Sequence, residues 1–145
     1  TKSVEKPPVK FGPNGKASNS LLSNGAIING IVENSVISPG VYIEENVVVR
    51  DSIIFNDAHI KKNSIIDKCI IDKEVKVGKN CHIGFGDDLT PNDEKPDLLF
   101  NGLNILAKRA IIPDNVQIGR NCRIMSYTRP KDFDEKNIES GSTIG

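Results

Sequence analysis

The chain has 145 residues, and its 19 lysines and arginines are matched by 19 aspartates and glutamates, so the formal net charge is zero. That balance argues against a nucleic-acid or membrane surface driven by bulk charge, and the length suits about one domain. Only 37% of residues are hydrophobic and there is no tryptophan, too little apolar mass for a thick globular core. No run approaches the roughly 20 apolar residues needed to span a bilayer, and no signal peptide is visible, so a cytoplasmic location is expected. The sequence opens at Thr1, without a methionine, in a polar and proline-bearing segment. A larger parent protein is therefore expected upstream.

Residues 1–17 (TKSVEKPPVKFGPNGKA) show no periodicity and contain Pro7, Pro8 and Pro13. They read as a linker from a missing N-terminal catalytic domain, lying against something through the apolar Val9 and Phe11. From Ser18 onward a repeat takes over. Aliphatic residues return at Ile31, Ile37, Ile43, Val49, Ile54, Ile60, Ile66, Ile71, Val77 and Ile83, in steps of five or six. A second, smaller set runs through Val41, Val47, Ile53, Ala58, Ser64, Ile70, Val75 and Cys81. A step of six matches neither a helix at 3.6 nor a plain strand at 2. It matches a hexapeptide-repeat solenoid, in which short parallel strands wind around a narrow apolar core.

Longer self-similarity agrees: Glu33-Asn34-Ser35-Val36-Ile37 returns 17 residues on as Arg50-Asp51-Ser52-Ile53-Ile54, and again as Asp67-Lys68-Cys69-Ile70-Ile71. Three hexads, one sometimes a residue short, make one coil of a three-sided prism. The expected fold is all-β, a single-stranded parallel β-helix of about six coils over residues 18–145, with no long helix. Asn24-Gly25, Asn29-Gly30 and Pro39-Gly40 are expected at corners, where glycine and asparagine accept positive φ cheaply.

Regular coiling stops after Ile83. Residues 84–104 (GFGDDLTPNDEKPDLLFNGLN) read as an inserted loop on one edge of the prism, and long loops in compact folds often carry function. The repeat resumes at Leu106, Ile112, Ile118 and Ile124, with Ala110, Val116 and Cys122 in the smaller set. Met125 to Asn137 interrupts it once more before Ile138 and Ile144 make a last partial coil. Open strand edges need covering, and the Tyr127–Phe133 excursion is the candidate cap, with Phe133 over the core.

Residues that could carry chemistry are few. Cys69, Cys81 and Cys122 are odd in number and lack zinc-ligand spacing, which suits reduced thiols used as small packing residues. His59 and His82 are too few for a three-histidine metal site. Either could act as a general base in an acyl-CoA-dependent hexapeptide acyltransferase, but each follows a repeat residue by one place, as an outward-facing side chain would. Gly84-Phe85-Gly86 is too short for a phosphate loop, and Asp87-Asp88 read as solvated. No residue here is assigned a catalytic or metal-binding role. Lys108, Arg109, Arg120, Arg123 and Arg129 are the better candidates, because arginine forks and lysines suit phosphate esters. Lys108 and Arg120 lie two hexads apart and fall on different faces unless a corner joins them.

Several segments together closely resemble the C-terminal domain of the ADP-glucose pyrophosphorylase (glucose-1-phosphate adenylyltransferase) family. They are Pro7-Pro8-Val9-Lys10-Phe11-Gly12, Asn19 to Gly25, Ile28 to Ile37, Arg50 to Ile54 and Ile71-Asp72-Lys73. Pro91-Asn92, Gly102 to Pro113 and Ser140-Gly141-Ser142 extend the likeness over nearly the whole chain. The resemblance implies a left-handed β-helix that packs on a Rossmann-like nucleotidyltransferase domain, where ATP and glucose 1-phosphate become ADP-glucose and pyrophosphate with Mg²⁺. It implies subunit contacts in a homotetramer and allosteric sites for phosphorylated metabolites, with no cofactor in this fragment and no catalysis by it alone. The segment Gly102-Leu103-Asn104-Ile105-Leu106-Ala107-Lys108-Arg109-Ala110-Ile111-Ile112-Pro113 is similar to a stretch whose lysine binds activators in plant and cyanobacterial relatives. That match places Lys108 at the lysine, with Arg109 where a different residue is common, and makes this pair the expected effector site. The alternatives are a free-standing acyltransferase, the β-helix of another sugar-nucleotide pyrophosphorylase, or a non-catalytic regulatory paralogue.

Overall fold

The computed structural model describes residues 6–145, and these form twenty strands of two or three residues each. All pair in parallel, in three sheets that make the faces of a prism. The first face holds Lys10–Phe11, Ile27–Ile28, Tyr42–Ile43, His59–Ile60, Lys76–Val77 and Ile111–Ile112. The second runs from Lys16–Ser18 through Ile31–Glu33, Val48–Arg50, Ile65–Asp67, His82–Ile83 and Gln117–Ile118 to Asn137–Ile138. The third holds Leu21–Leu22, Val36–Ile37, Ile53–Ile54, Cys69–Ile71, Asn104–Leu106, Arg123–Ile124 and Thr143–Ile144. Six coils are thus met on the first face and exceeded by one on the other two. Only a 3₁₀ turn at Pro130–Asp132 departs from strand and loop among the described residues.

Strand alternation explains the core. Adjacent side chains on a strand point to opposite sides, so the short strands beyond the first coil send an aliphatic residue inward. Ile43, Ile60 and Val77 line the first face, Val49, Ile66 and Ile83 the second, and Ile54, Ile71 and Leu106 the third, all fully buried. Two details differ from the periodicity. Ile31 faces outward at 38% exposure and Val32 takes its place inside. The corner between Ile28 and Val32 is two residues shorter than the one between Ile43 and Val49, and Gly30 permits it: a Cβ there would lie 2.4 Å from the Val47 carbonyl oxygen. Likewise Ser52 and Cys69 are buried while Ile53 is exposed and Ile70 half-buried. Val49 and Ile54 are five apart, so alternation brings the residue two before Ile54, not one before, to the inner side.

The solenoid begins at Lys10, not at Ser18. Lys10–Phe11 pairs with Ile27–Ile28 and Lys16–Ser18 with Ile31–Glu33. These strands escaped the periodicity because an end coil has a neighbour on one side only. Phe11 and Ala17 stay exposed, so nothing compels isoleucine or valine there. Residues 1–5 of the expected linker lie outside the described residues.

The corners need left-handed backbone, which costs most residues about 1–2 kcal/mol but asparagine less. Asn46, Asn63, Asn80 and Asn115 supply it on successive coils of one corner, with φ of 60°, 64°, 57° and 62°. Their amides also bridge coils, Asn46 donating to Asn63 and Asn80 to Asn115 at 3.2 Å. Between the second and third faces a hydroxyl column does similar work. The backbone N–H groups of Ser35, Ser52 and Cys69 each donate to the side-chain oxygen of Ser20, Ser35 and Ser52 one coil earlier, at 3.0–3.1 Å. Replacing Ser52 by alanine should cost about 1–3 kcal/mol, because the buried Cys69 N–H loses its acceptor. Urea unfolding of the variant checks this, with the more exposed Ser20→Ala expected to cost less.

The excursion after Ile124 covers an edge as expected. The Thr128 carbonyl accepts the Ile111 N–H at 2.9 Å, closing the last strand of the first face, and Phe133 packs half-buried on the core.

Candidate functional site

The inserted loop leaves the prism after Ile83 and returns at Asn104, at the corner between the second and third faces. It is pinned by buried polar groups, not by strands. The Asn92 amide, 1% exposed, donates to the carbonyls of Asn121 at 3.0 Å and Ser142 at 3.3 Å. Its oxygen accepts the N–H groups of Glu94 and Lys95. Asn121 in turn accepts from the Gly102 N–H at 2.7 Å and donates to the Thr90 carbonyl. Arg120 belongs to this scaffold: it pairs with Asp67 at 2.9 Å and donates to the Gly86 carbonyl at 2.9 Å. It is therefore spent on holding the loop. Arg123 lies on the outer side of the third face, aligned with Ile105 and Thr143.

The other three cations meet at the corner between the third and first faces. There Asp57, Glu74, Arg109 and Tyr127 occupy equivalent left-handed positions on successive coils, with φ of 60°, 58°, 59° and 61°. Successive strands lie about 4.8 Å apart, so side chains at these positions meet. Arg109 donates through Nε to Glu74 at 2.7 Å, its guanidinium carbon lies 6.0 Å from the Tyr127 ring centroid, and its carbonyl accepts from Arg129 at 2.8 Å. Lys108 is exposed beside it. A shallow groove of about 280 Å³ opens here, lined by Asp57, Glu74, Lys76, Arg109, Ile111 and Arg129. The hydrogen bond and then the charge of Arg109, with a smaller contribution from Lys108, hold the Glu74 carboxyl below the usual range.

Of the basic residues singled out in the sequence, Lys108, Arg109 and Arg129 thus come together, whereas Arg120 and Arg123 do not join them. Glu74, Lys76 and Tyr127 were missed. Glu74 and Arg109 are 35 residues apart but sit on adjacent coils, because Lys76 pairs with Ile111. The insertion masks the 17-residue repeat; removing it from the count would have aligned the two.

A second surface is apolar. Leu21, Val36, Ile53, Ile70 and Ile105 stand in register on the outside of the third face, and Leu21 is 71% exposed. Together they make one continuous apolar strip on the outer surface of the solenoid.

Both histidines face outward, as their spacing implied, but on different faces. His59 stacks on Tyr42 with ring centroids 4.8 Å apart and touches Glu44 through Nε2. His82 meets Phe85 edge-on at 5.2 Å, and burial first, then Arg50, lowers its pKa. The three thiols are free and buried, and burial raises the pKa of each. No group of three or more histidine, cysteine, aspartate or glutamate residues is placed to hold a metal ion among the described residues, and no helix there is long and apolar enough to cross a membrane.

Comparison with known proteins adds what geometry cannot. The family model described as "GlmU-like, C-terminal hexapeptide" matches residues 7–95. A protein named glucose-1-phosphate adenylyltransferase from Acetivibrio thermocellus is 41% identical over 139 residues, which cover 96% of this chain and 32% of that protein. One of the same name from Thermotoga maritima is 44% identical over 144 residues, 99% of this chain and 34% of its own length. The chain therefore spans about a third of the length of the curated relatives it matches. Among solved structures, the acetyltransferase domain of PglB from Neisseria gonorrhoeae is 17% identical and covers 95% of this chain and 54% of its own, with a TM-score of 0.37; a superposition that loose carries no argument.

Proposed function

Since the chain belongs to the GlmU-like C-terminal hexapeptide family, we propose that it is the regulatory and subunit-assembly domain of a glucose-1-phosphate adenylyltransferase, an enzyme making ADP-glucose from ATP and glucose 1-phosphate for glycogen or starch synthesis. The observation that carries this is identity of 41–44% along 96–99% of the chain to proteins of that name. On this reading the nucleotide chemistry belongs to the portion of the relatives that the chain does not span, joined through the segment before Lys10. On the same reading, the Mg²⁺ that the resemblance implies belongs with that nucleotide chemistry. The parent would be a cytoplasmic homotetramer.

Two features give the domain its work. The Lys108, Arg109 and Arg129 corner is an anion-binding surface for a phosphorylated metabolite, with Lys108 and Arg109 as the effector-binding pair. The aliphatic column from Leu21 to Ile105 is a packing surface for the preceding nucleotidyltransferase domain. It is most exposed at Leu21, in the first coil, the end from which that domain would approach.

The test is direct. Full-length parent and the 145-residue chain are each assayed for ADP-glucose formation from ATP and glucose 1-phosphate. Turnover by the parent with none by the chain supports the assignment, and a parent that makes no ADP-glucose removes it.

A further inference from the structure

We propose that Glu74 is a resident counter-anion at the effector corner, which an incoming phosphate group must displace from Arg109. This rests on reading Lys108 and Arg109 as an anion site, and it specifies how that site is regulated and what it selects. Arg109 is held on three sides. Its backbone is fixed in the left-handed region at φ 59°, its guanidinium meets the Glu74 carboxylate at 2.7 Å, and the Tyr127 ring lies against it. Arg129 is turned toward the Arg109 and Thr128 carbonyls. Of the two carboxylates lining the groove, Asp57 lies 3.4 Å from Lys6, which leaves Glu74 as the one paired with Arg109.

Glu74 and Arg109 side chains are each 46% exposed, so the pair opens at little cost. A carboxylate carries one negative charge, whereas a phosphate monoester carries about −1.5 to −2 at pH 7 and offers three acceptor oxygens. Arginine binds such a group through two parallel N–H bonds, and the neighbouring Lys108 adds its charge. A dianion therefore outcompetes Glu74 where a monoanion does not. Glu74 sets a threshold: it keeps the corner neutralised against carboxylates and yields to phosphate esters.

The experiment titrates inorganic phosphate, and acetate as the monoanion, into the 145-residue chain at low ionic strength. Backbone amide shifts near Lys108 report binding, and circular dichroism checks the fold. Glu74→Gln should tighten phosphate binding about two- to fivefold, the range set by losing one exposed ion pair, and should let acetate bind where it did not. Glu74→Asn, which suits left-handed backbone better, repeats the test if the glutamine variant loses its fold. Unchanged phosphate affinity in these variants, with Lys108→Ala still weakening it, overturns the role of Glu74 and leaves the anion site standing. Absence of phosphate-dependent shifts in the parent sequence and the Glu74 variants alike overturns both.

Discussion

Replacing Asn104 with alanine is expected to destabilise the solenoid by about 2–5 kcal/mol, among the largest single-residue effects in the chain. Asn104 is fully buried and stands in the column otherwise filled by Ser35, Ser52, Cys69 and Cys122. Its amide donates to the Gly119 carbonyl at 2.6 Å and its oxygen accepts the Cys122 N–H at 2.7 Å. Both partners are buried backbone groups, and each orphaned one costs about 1–3 kcal/mol because water cannot reach it. The position is also where the chain re-enters the prism after the inserted loop. One side chain thus joins its own coil to the next through both a donor and an acceptor. Urea unfolding of the 145-residue chain measures the loss. Asn101→Ala, on the exposed part of the same loop, should change stability by less than about 0.5 kcal/mol. Equal effects at the two positions would mean that the bridging bonds contribute little.

On the proposed reading, Lys108→Glu in the full-length protein should raise the concentration of phosphorylated activator needed for half-maximal response by about tenfold or more. The substitution removes a charge-assisted hydrogen bond and places a second carboxylate next to Glu74, so repulsion adds to the lost attraction. Arg109→Ala should act in the same direction but less steeply, because it removes the anion's ligand and the partner of Glu74 together. Activation curves for the parent enzyme and both variants provide the measurement. An unchanged response in Lys108→Glu would return this lysine to ordinary surface.

Much of the architecture was legible because a solenoid makes the same demand on every coil. Ile43, Ile60 and Val77 occupy one inward position on successive turns, 17 residues apart, and with three faces to a turn a step near six shows in the residues themselves. The insertion at 84–104 was equally visible as a break in that step. The exceptions have a common cause. Val32 replaces Ile31 in the core, and Ser52 replaces Ile53, because corner length decides which residue of a strand points inward. Corner length is fixed by backbone contacts such as Gly30 against Val47, not by hydrophobicity. The first strands at Lys10–Phe11 and Lys16–Ser18 were hidden for a related reason: an end coil buries too little to impose a pattern.

The candidate site divides along the same line. The sequence by itself determined the repeat, the parallel prism, the inserted loop and the cationic segment around Lys108. Each of these follows from local composition or from a periodic requirement for burial. Only the tertiary structure decided which charges meet. It sent Arg120 to Asp67 and the inserted loop, brought Arg129 to Arg109, and set Glu74 beside Arg109 across 35 residues of chain. Charged side chains at corners answer to whichever coil lies above or below. That neighbour depends on the exact length of every intervening corner and insertion, a sum no local pattern records.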